Sequence, residues 1–94
     1  MNFEWDTAKN QSNIVKHGID FCYAIRIFED DDRLECEDNR FEYGEPRYIT
    51  IGKIEKLIYT LVYTLRNSCH RIISARGASR YEREAYQAYI KEKK

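Results

Sequence analysis

The 94-residue chain predicts an α+β fold, and three features of its order carry that prediction. Two stretches near the start open on helix-capping aspartates, Asp6 and Asp20. The middle of the chain is rich in β-branched and aromatic residues, broken by short turns. The end opens on the capping box Ser79-Arg80-Tyr81-Glu82. Together they predict two N-terminal helices packed on an antiparallel β-meander, with one C-terminal helix closing it.

Each element has its own reason. Phe3-Glu4-Trp5 is a short aromatic lead that suits an edge strand. Asp6 caps a helix that runs to His17, where Gly18 supplies a left-handed stop. Asp20 caps a second helix with Phe21, Ala24, Ile25 and Phe28 at i, i+3, i+4 and i+7, one apolar face. Glu29 to Asp32 end it, because carboxylates oppose the macrodipole at a helix C-terminus; the run reads as a solvated acidic turn. From Arg33 to Tyr43, charged and apolar residues alternate loosely (Leu34, Cys36, Phe41, Tyr43), an exposed strand or hairpin. Arg47–Ile51 is a strand, Gly52–Lys56 a turn and Leu57–Arg66 a long strand. Asn67-Ser68-Cys69 is a tight loop and His70–Arg76 a third strand, which Gly77 breaks. The last helix carries Tyr81, Ala85, Ala88 and Tyr89 on one face, and Lys91, Lys93 and Lys94 suit its C-terminus.

Composition bounds what such a chain can be. Compact domains usually need ~100–150 residues, so residues 1–94 are expected to form one domain. With 43% hydrophobic and 34% charged residues the chain can close a core and is not disordered by composition. No apolar run approaches the ~18 residues of a membrane span, and no charged-then-apolar leader opens the chain. Three widely spaced cysteines (Cys22, Cys36, Cys69) make neither a disulfide framework nor a zinc knuckle, so the expected compartment is the reduced cytoplasm. The net charge of zero hides a division. Residues 1–45 hold 12 acidic and 5 basic side chains (−7), and residues 46–94 hold 4 acidic and 11 basic (+7). Either the halves interleave and cancel, or the second half presents a basic field to an anionic partner.

Register decides what the meander does with its polar residues, since side chains alternate across a strand. If Arg66 opposes His70 and Ile51 opposes Ile58, one face carries Tyr48, Leu57, Tyr59, Leu61, Tyr63, Leu65, Ile73 and Ala75, and packs on the helices. The other carries Glu45, Arg47, Thr64, Arg66, Ser74 and Arg76. Arginine forks hold phosphate bidentately at any working pH, and a carboxylate or imidazole can move protons. Such a face suits a scissile phosphate. A set of surface ion pairs, with Glu45 satisfied by Arg47 or Arg66, accounts for the same residues. His17 in the last turn of its helix fits a cap, His70 a solvated hairpin position, and two histidines at this spacing make no transition-metal site.

The residues Phe3-Glu4-Trp5-Asp6, Lys9, Asn13, Lys16-His17-Gly18-Ile19 and Phe21 come first in a longer pattern. Gly44-Glu45-x-Arg47-x-x-Thr50-Ile51-Gly52, then Tyr63-Thr64-x-Arg66, then Arg71-Ile72-Ile73-Ser74-Ala75-Arg76 with Glu82-Arg83 and Tyr86, follow in order. From Phe3 to about Tyr86 the chain resembles the BrnT toxins. The resemblance implies a RelE-like ribonuclease of a type II toxin–antitoxin system. It implies a BrnA-like ribbon-helix-helix antitoxin, held in a 2:2 heterotetramer, through which alone the toxin meets operator DNA. It implies metal-independent RNA cleavage with no cofactor and no membrane partner. The family's polar positions fall on His17, Glu45, Arg47, Arg66 and Arg76. Glu45 is then the candidate base, His17 the candidate acid, and Arg47, Arg66, Arg71, Arg76 and Arg83 the RNA contacts. Tyr63 and Leu65 stand where many relatives carry His and an acidic residue, and Gly77 replaces a usual basic residue. Two readings from other classes remain beside this one: a non-catalytic operon corepressor, and an inhibitor of another nucleic-acid enzyme.

Overall fold

The computed structural model describes residues 1–40 and 42–93. The expectations placed on Phe41 and Lys94 lie outside the described residues. In chain order the elements are β1 (Asn2–Glu4), α1 (Thr7–His17), α2 (Phe21–Ala24) running into a 3-10 turn (Ile25–Glu29), β2 (Leu34–Glu37), β3 (Tyr48–Ile54), β4 (Leu57–Arg66), β5 (Cys69–Gly77) and α3 (Arg80–Lys93). The class is α+β. The five strands form one sheet in the order β1-β5-β4-β3-β2. It is mixed rather than purely antiparallel, because β1 pairs parallel with the loop end of β5.

Both N-terminal caps form as the sequence predicts. Asp6 accepts from the Lys9 N–H at 2.9 Å, and Gly18 takes φ 71° after His17. Asp20 accepts from the Cys22 N–H at 2.9 Å. The second helix then tightens after Ala24, which moves its buried line from i+4 spacing to i+3 spacing. Phe21, Ala24 and Ile27 are the residues in the core, while Ile25 and Phe28 are only half-buried. Gly52 is part of this arrangement. It belongs to β3 rather than to a turn, and a Cβ there would lie 2.7 Å from Ile27 Cγ1 and 3.1 Å from Arg33 Cβ. The 3-10 turn packs against β3 because that position has no side chain.

The core lies between α2 with its 3-10 turn and one face of the sheet: Phe21, Ala24, Ile27, Ile54, Leu61, Tyr63, Ile72 and Ala75. Leu61 opposes Ala75 and Tyr63 opposes Ile72, so alternation puts them together on the helix side. α1 runs along the edge of β5 past the end of β1. Its two buried residues are asparagines, and both replace backbone partners. Asn13 accepts from the Ala75 N–H at 3.1 Å and donates to the Ala75 and Ile19 carbonyls at 2.9 Å each. Asn10 accepts from the Phe21 N–H and donates to Asp20.

Two expectations about the ends of helices need correction. The acidic run is not a solvated turn: Asp30 accepts from the N–H groups of Asp32 and Lys53 and from the Tyr86 hydroxyl, and Asp32 accepts from Lys93. Burial works against the Asp30 charge, but these donors outweigh it and hold its pKa below the ordinary value. The buried position of α3 is Tyr86, with Ala85, Tyr89 and Ile90 half-buried, while Tyr81 is 80% exposed and Ala88 is exposed. Polar anchors at Glu82 and Tyr86 rotate the helix away from the face its alanines and tyrosines predicted.

Candidate nucleic-acid interface

The observed hairpin registers differ from those expected, and the difference shapes the site. β3 and β4 pair with Ile51 opposite Thr60, two residues from the expected partner. A shift of two preserves which face each residue occupies. Between β4 and β5 the loop end is shifted by one, with Arg66 opposite Cys69 and Thr64 opposite Arg71. Asn67 and Ser68 both take positive φ (52° and 66°), which closes a two-residue hairpin instead of the longer loop. An irregularity at Val62/Tyr63 absorbs the shift, and Val62 then opposes Ser74 as expected. Arg71, Ser74 and Arg76 therefore share the face of Thr64, Val62 and Thr60, opposite the helix-packed core.

The arginines on this open face form a stripe rather than one knot. Arg66 and Thr60 are six residues apart on β4, and Arg76 pairs with Thr60, so Arg66 and Arg76 are separated by roughly 20 Å of strand. The first end gathers Glu45, Arg47, Arg66 and Arg71. Arg66 donates from Nε and Nη2 to Glu45 at 3.2–3.4 Å. The Thr64 hydroxyl donates to the Pro46 carbonyl, which fixes the segment carrying Glu45 and Arg47 beside β4. The Arg47 guanidinium lies 3.9 Å from the Tyr43 ring centroid. Arg71 pairs with Glu4 at 3.0 Å.

The second end gathers Arg76, Glu82 and Arg83. Arg76 donates end-on to Glu82, Nη1 to Oε1 at 2.7 Å and Nη2 to Oε2 at 2.8 Å. The same carboxylate accepts from the Thr60 hydroxyl and the Ser79 N–H. The Arg76 fork, ahead of the other donors and against partial burial, holds the Glu82 pKa down to about 2, and Glu82 raises that of Arg76. A carboxylate so strongly ionised is a poor proton acceptor at neutral pH. Arg83 donates to the Ala78 carbonyl at 2.8 Å.

His17 does not join the Glu45 end. Asn13 fixes α1 beside Ala75, and the helix continues past it, so His17 lies exposed towards the Arg76–Gly77 end of the β5 edge. His70 is not solvated: its ring lies 4.8 Å from that of Tyr63, 5.3 Å from Phe28 and 5.7 Å from Phe3. Burial lowers its pKa. Tyr63 belongs to this helix-packed side too, where it donates to Glu35 at 2.8 Å, and Leu65 alternates with Arg66 onto the same side. Tyr63 and Leu65 therefore lie across the sheet from the arginine stripe, and Gly77, opposite Tyr59, falls in register with that side. Among the described residues, no group of three His, Cys, Asp or Glu side chains is arranged to hold a metal ion.

Sequence reasoning missed three polar residues at this face. Glu82 was visible as the helix cap it also is and in the family pattern, but not as the partner of Arg76. Asp38 and Arg40 lay in a stretch read for strand alternation. Asp38 is buried, accepts from Arg40 Nε at 2.8 Å and Nη2 at 3.0 Å, and also accepts from the Tyr43 hydroxyl at 3.0 Å. The Arg40 guanidinium leads the causes that hold its pKa well below the usual carboxylate range.

Ion pairs also answer the question left by the divided charge. Glu45–Arg66, Glu4–Arg71 and Asp32–Lys93 join the acidic and basic halves, whereas Asp38–Arg40 and Glu82–Arg76 lie within them. The halves interleave, and Arg66, Arg71 and Arg76 of the stripe are each paired with a carboxylate. No helix among the described residues is long and apolar enough to cross a membrane. No curated protein matches the chain. Over residues 5–82 the chain matches the family model of the ribonuclease toxin BrnT of type II toxin–antitoxin systems. That match spans more than half of the chain and includes both ends of the arginine stripe, and the protein belongs to the BrnT family.

Proposed function

We propose that the chain, acting as one RelE-like toxin domain over residues 1–94, is an endoribonuclease that cuts RNA without a metal on the open face of its sheet. The observation that carries this reading is the Glu45–Arg66 pair on that face, with Arg47 two residues from Glu45 on the segment that Thr64 fixes beside β4. Glu45 takes the proton of a ribose 2′-hydroxyl. The 2′-oxygen bonds to the adjacent phosphorus, the P–O5′ bond breaks, and the 5′-oxygen is protonated as it leaves. Arg47 and Arg66 donate to the non-bridging oxygens, where negative charge builds in the transition state. These guanidiniums supply at the phosphate the positive charge that a cation would otherwise bring.

The stripe divides the labour differently from a single cluster. One phosphate cannot touch guanidiniums that start roughly 20 Å apart along a strand. Arg71 continues the Glu45 end, while Arg76 and Arg83 hold neighbouring backbone at the other. His17 is the acid the family pattern offers, but it lies away from the Glu45 end, so water protonates the leaving oxygen there. In the cytoplasm a protein antitoxin follows from the family's type II system. We assign it the BrnA-like ribbon-helix-helix class, a 2:2 assembly and the same arginine face, with operator DNA reached only through it.

The experiment is to compare Arg66→Ala and Glu45→Gln with the parent chain for RNA cleavage and growth arrest, alongside melting temperature. The Arg66 side chain is half-exposed and that of Glu45 about a third exposed, so their ion pair adds little to stability and the melting temperature should change little. Arg66→Ala should lower cleavage at least a hundredfold, the scale of one lost oxyanion donor. Full activity in both variants would remove the site from this face.

A further inference from the structure

An exposed arginine normally keeps its guanidinium mobile, and its ion pair contributes little to stability. Arg40 is held differently. Its partner Asp38 has a side chain that is only 2% exposed, while that of Arg40 is 66% exposed. Burying a carboxylate is costly unless donors replace its water. Asp38 has four: Arg40 Nε at 2.8 Å, Arg40 Nη2 at 3.0 Å, the Arg40 N–H at 3.2 Å and the Tyr43 hydroxyl at 3.0 Å. Its own N–H donates to the Arg47 carbonyl at 2.7 Å, one step beyond the Glu37–Tyr48 pair of the β2–β3 ladder. Alternation from Glu37, which shares the helix side with Tyr48, turns Asp38 to the open face.

The result is a buried carboxylate that anchors two arginines. It grips one edge of Arg40 directly and leaves the rest of that guanidinium to solvent. Through Tyr43 it steadies the ring against which Arg47 lies at 3.9 Å. Arg40, held by Asp38, lies on the face that also carries Arg76. Arg40 thus adds positive charge to this face beside Arg47 and the Glu45 end of the stripe.

We propose that Arg40 is a further RNA-backbone contact of the cleavage face and that Asp38 is the positioning residue that presents it. This rests on the nuclease reading of that face. It makes the interface a continuous track in which Arg47 and Arg66 act at the reacting phosphate, Arg40 holds backbone beyond it, and Arg76 holds the far end. Arg40 contributes binding that is the same in ground state and transition state, so its loss raises KM and leaves kcat nearly unaltered.

The test uses the full chain with a single-stranded RNA, measuring binding over a range of KCl concentrations and KM and kcat at one. Arg40→Ala should lower the slope of log K against log salt by about 0.7, the value of one released counterion on a single strand. KM should rise about five- to tenfold with kcat changed less than about twofold. Arg40→Lys, which keeps the charge and loses the fork, should restore the slope and only part of the KM. Asp38→Asn should reproduce the KM of Arg40→Ala, and the double variant should be no worse than either single one. Arg40→Ala with an unaltered slope and KM, beside an Arg66→Ala that loses cleavage, would overturn this assignment and leave the nuclease reading standing. If Arg66→Ala and Arg76→Ala also leave RNA binding intact, the face itself is wrong and Arg40 falls with it.

Discussion

Glu82 grips Arg76 at 2.7 and 2.8 Å while accepting two further hydrogen bonds, from Thr60 and from the N–H of Ser79 at the start of its own helix. One carboxylate thereby caps α3, fastens that helix to β4 and β5, and orients an arginine of the open face. Both terminal nitrogens of Arg76 are taken up by this fork, so the guanidinium can meet RNA only along its remaining edge.

That arrangement has a pH signature. The folded-state pKa of Glu82 lies at about 2 against an ordinary 4.5, so its contribution to stability is complete above about 4.5. It is lost as pH falls through 2. Urea unfolding at pH 6 and pH 3 should show the parent losing ~1–2 kcal/mol more than Glu82→Gln, whose amide does not titrate. Equal losses in the two proteins would show that the Arg76 fork contributes nothing to stability.

Asn13 offers a second test, of the fold alone. Asn13→Ala leaves the N–H and carbonyl of Ala75 unpaired at the β5 edge. Each orphaned buried group costs ~1–3 kcal/mol, so a loss of ~2–3 kcal/mol in urea unfolding is expected. A loss below ~0.5 kcal/mol would mean that water replaces the amide there.

How much of this was legible in the sequence depended on whether a residue's role was local. Asp6, Gly18 and Asp20 were readable because a cap is decided within four residues. The central strands and the helix-facing Leu61, Tyr63 and Ala75 were readable from alternation. Asn13 was not, because its partner Ala75 lies 62 residues away and no stripe of apolar residues marks α1. Gly52 read as a turn because nothing in its neighbourhood announces Ile27. The same limit applies at the interface. Alternation placed Arg66, Ser74 and Arg76 on one face, but a one-residue shift and its compensating irregularity were needed to bring Arg71 there. The distance along β4 that divides the arginines into two ends was overlooked, since sharing a face says nothing of proximity along it.

His70 provides a third check, on the helix-packed side. Burial against Phe3, Phe28 and Tyr63 lowers its pKa from 6.5, with Arg33 and the N-terminal amine opposing its charge and Glu35 favouring it. A histidine with a depressed folded-state pKa contributes fully above its unfolded value. That contribution declines as pH falls through about 6.5. The parent should therefore lose stability between pH 7.5 and 5.5, and His70→Phe should lose distinctly less. A His70 proton titrating above pH 6.5 by NMR would contradict the packing.

The chemistry of the cut ends tests the nuclease account most directly. Purified chain incubated with RNA in excess chelator should yield fragments ending in a 2′,3′-cyclic phosphate, with a 5′-hydroxyl on the partner fragment, because the 2′-oxygen is the nucleophile. Glu45→Gln should leave the RNA whole under the same conditions. Cleavage that disappears with chelator and returns with a divalent ion, or ends bearing a 3′-hydroxyl and a 5′-phosphate, would contradict attack by the 2′-hydroxyl on this arginine-lined face.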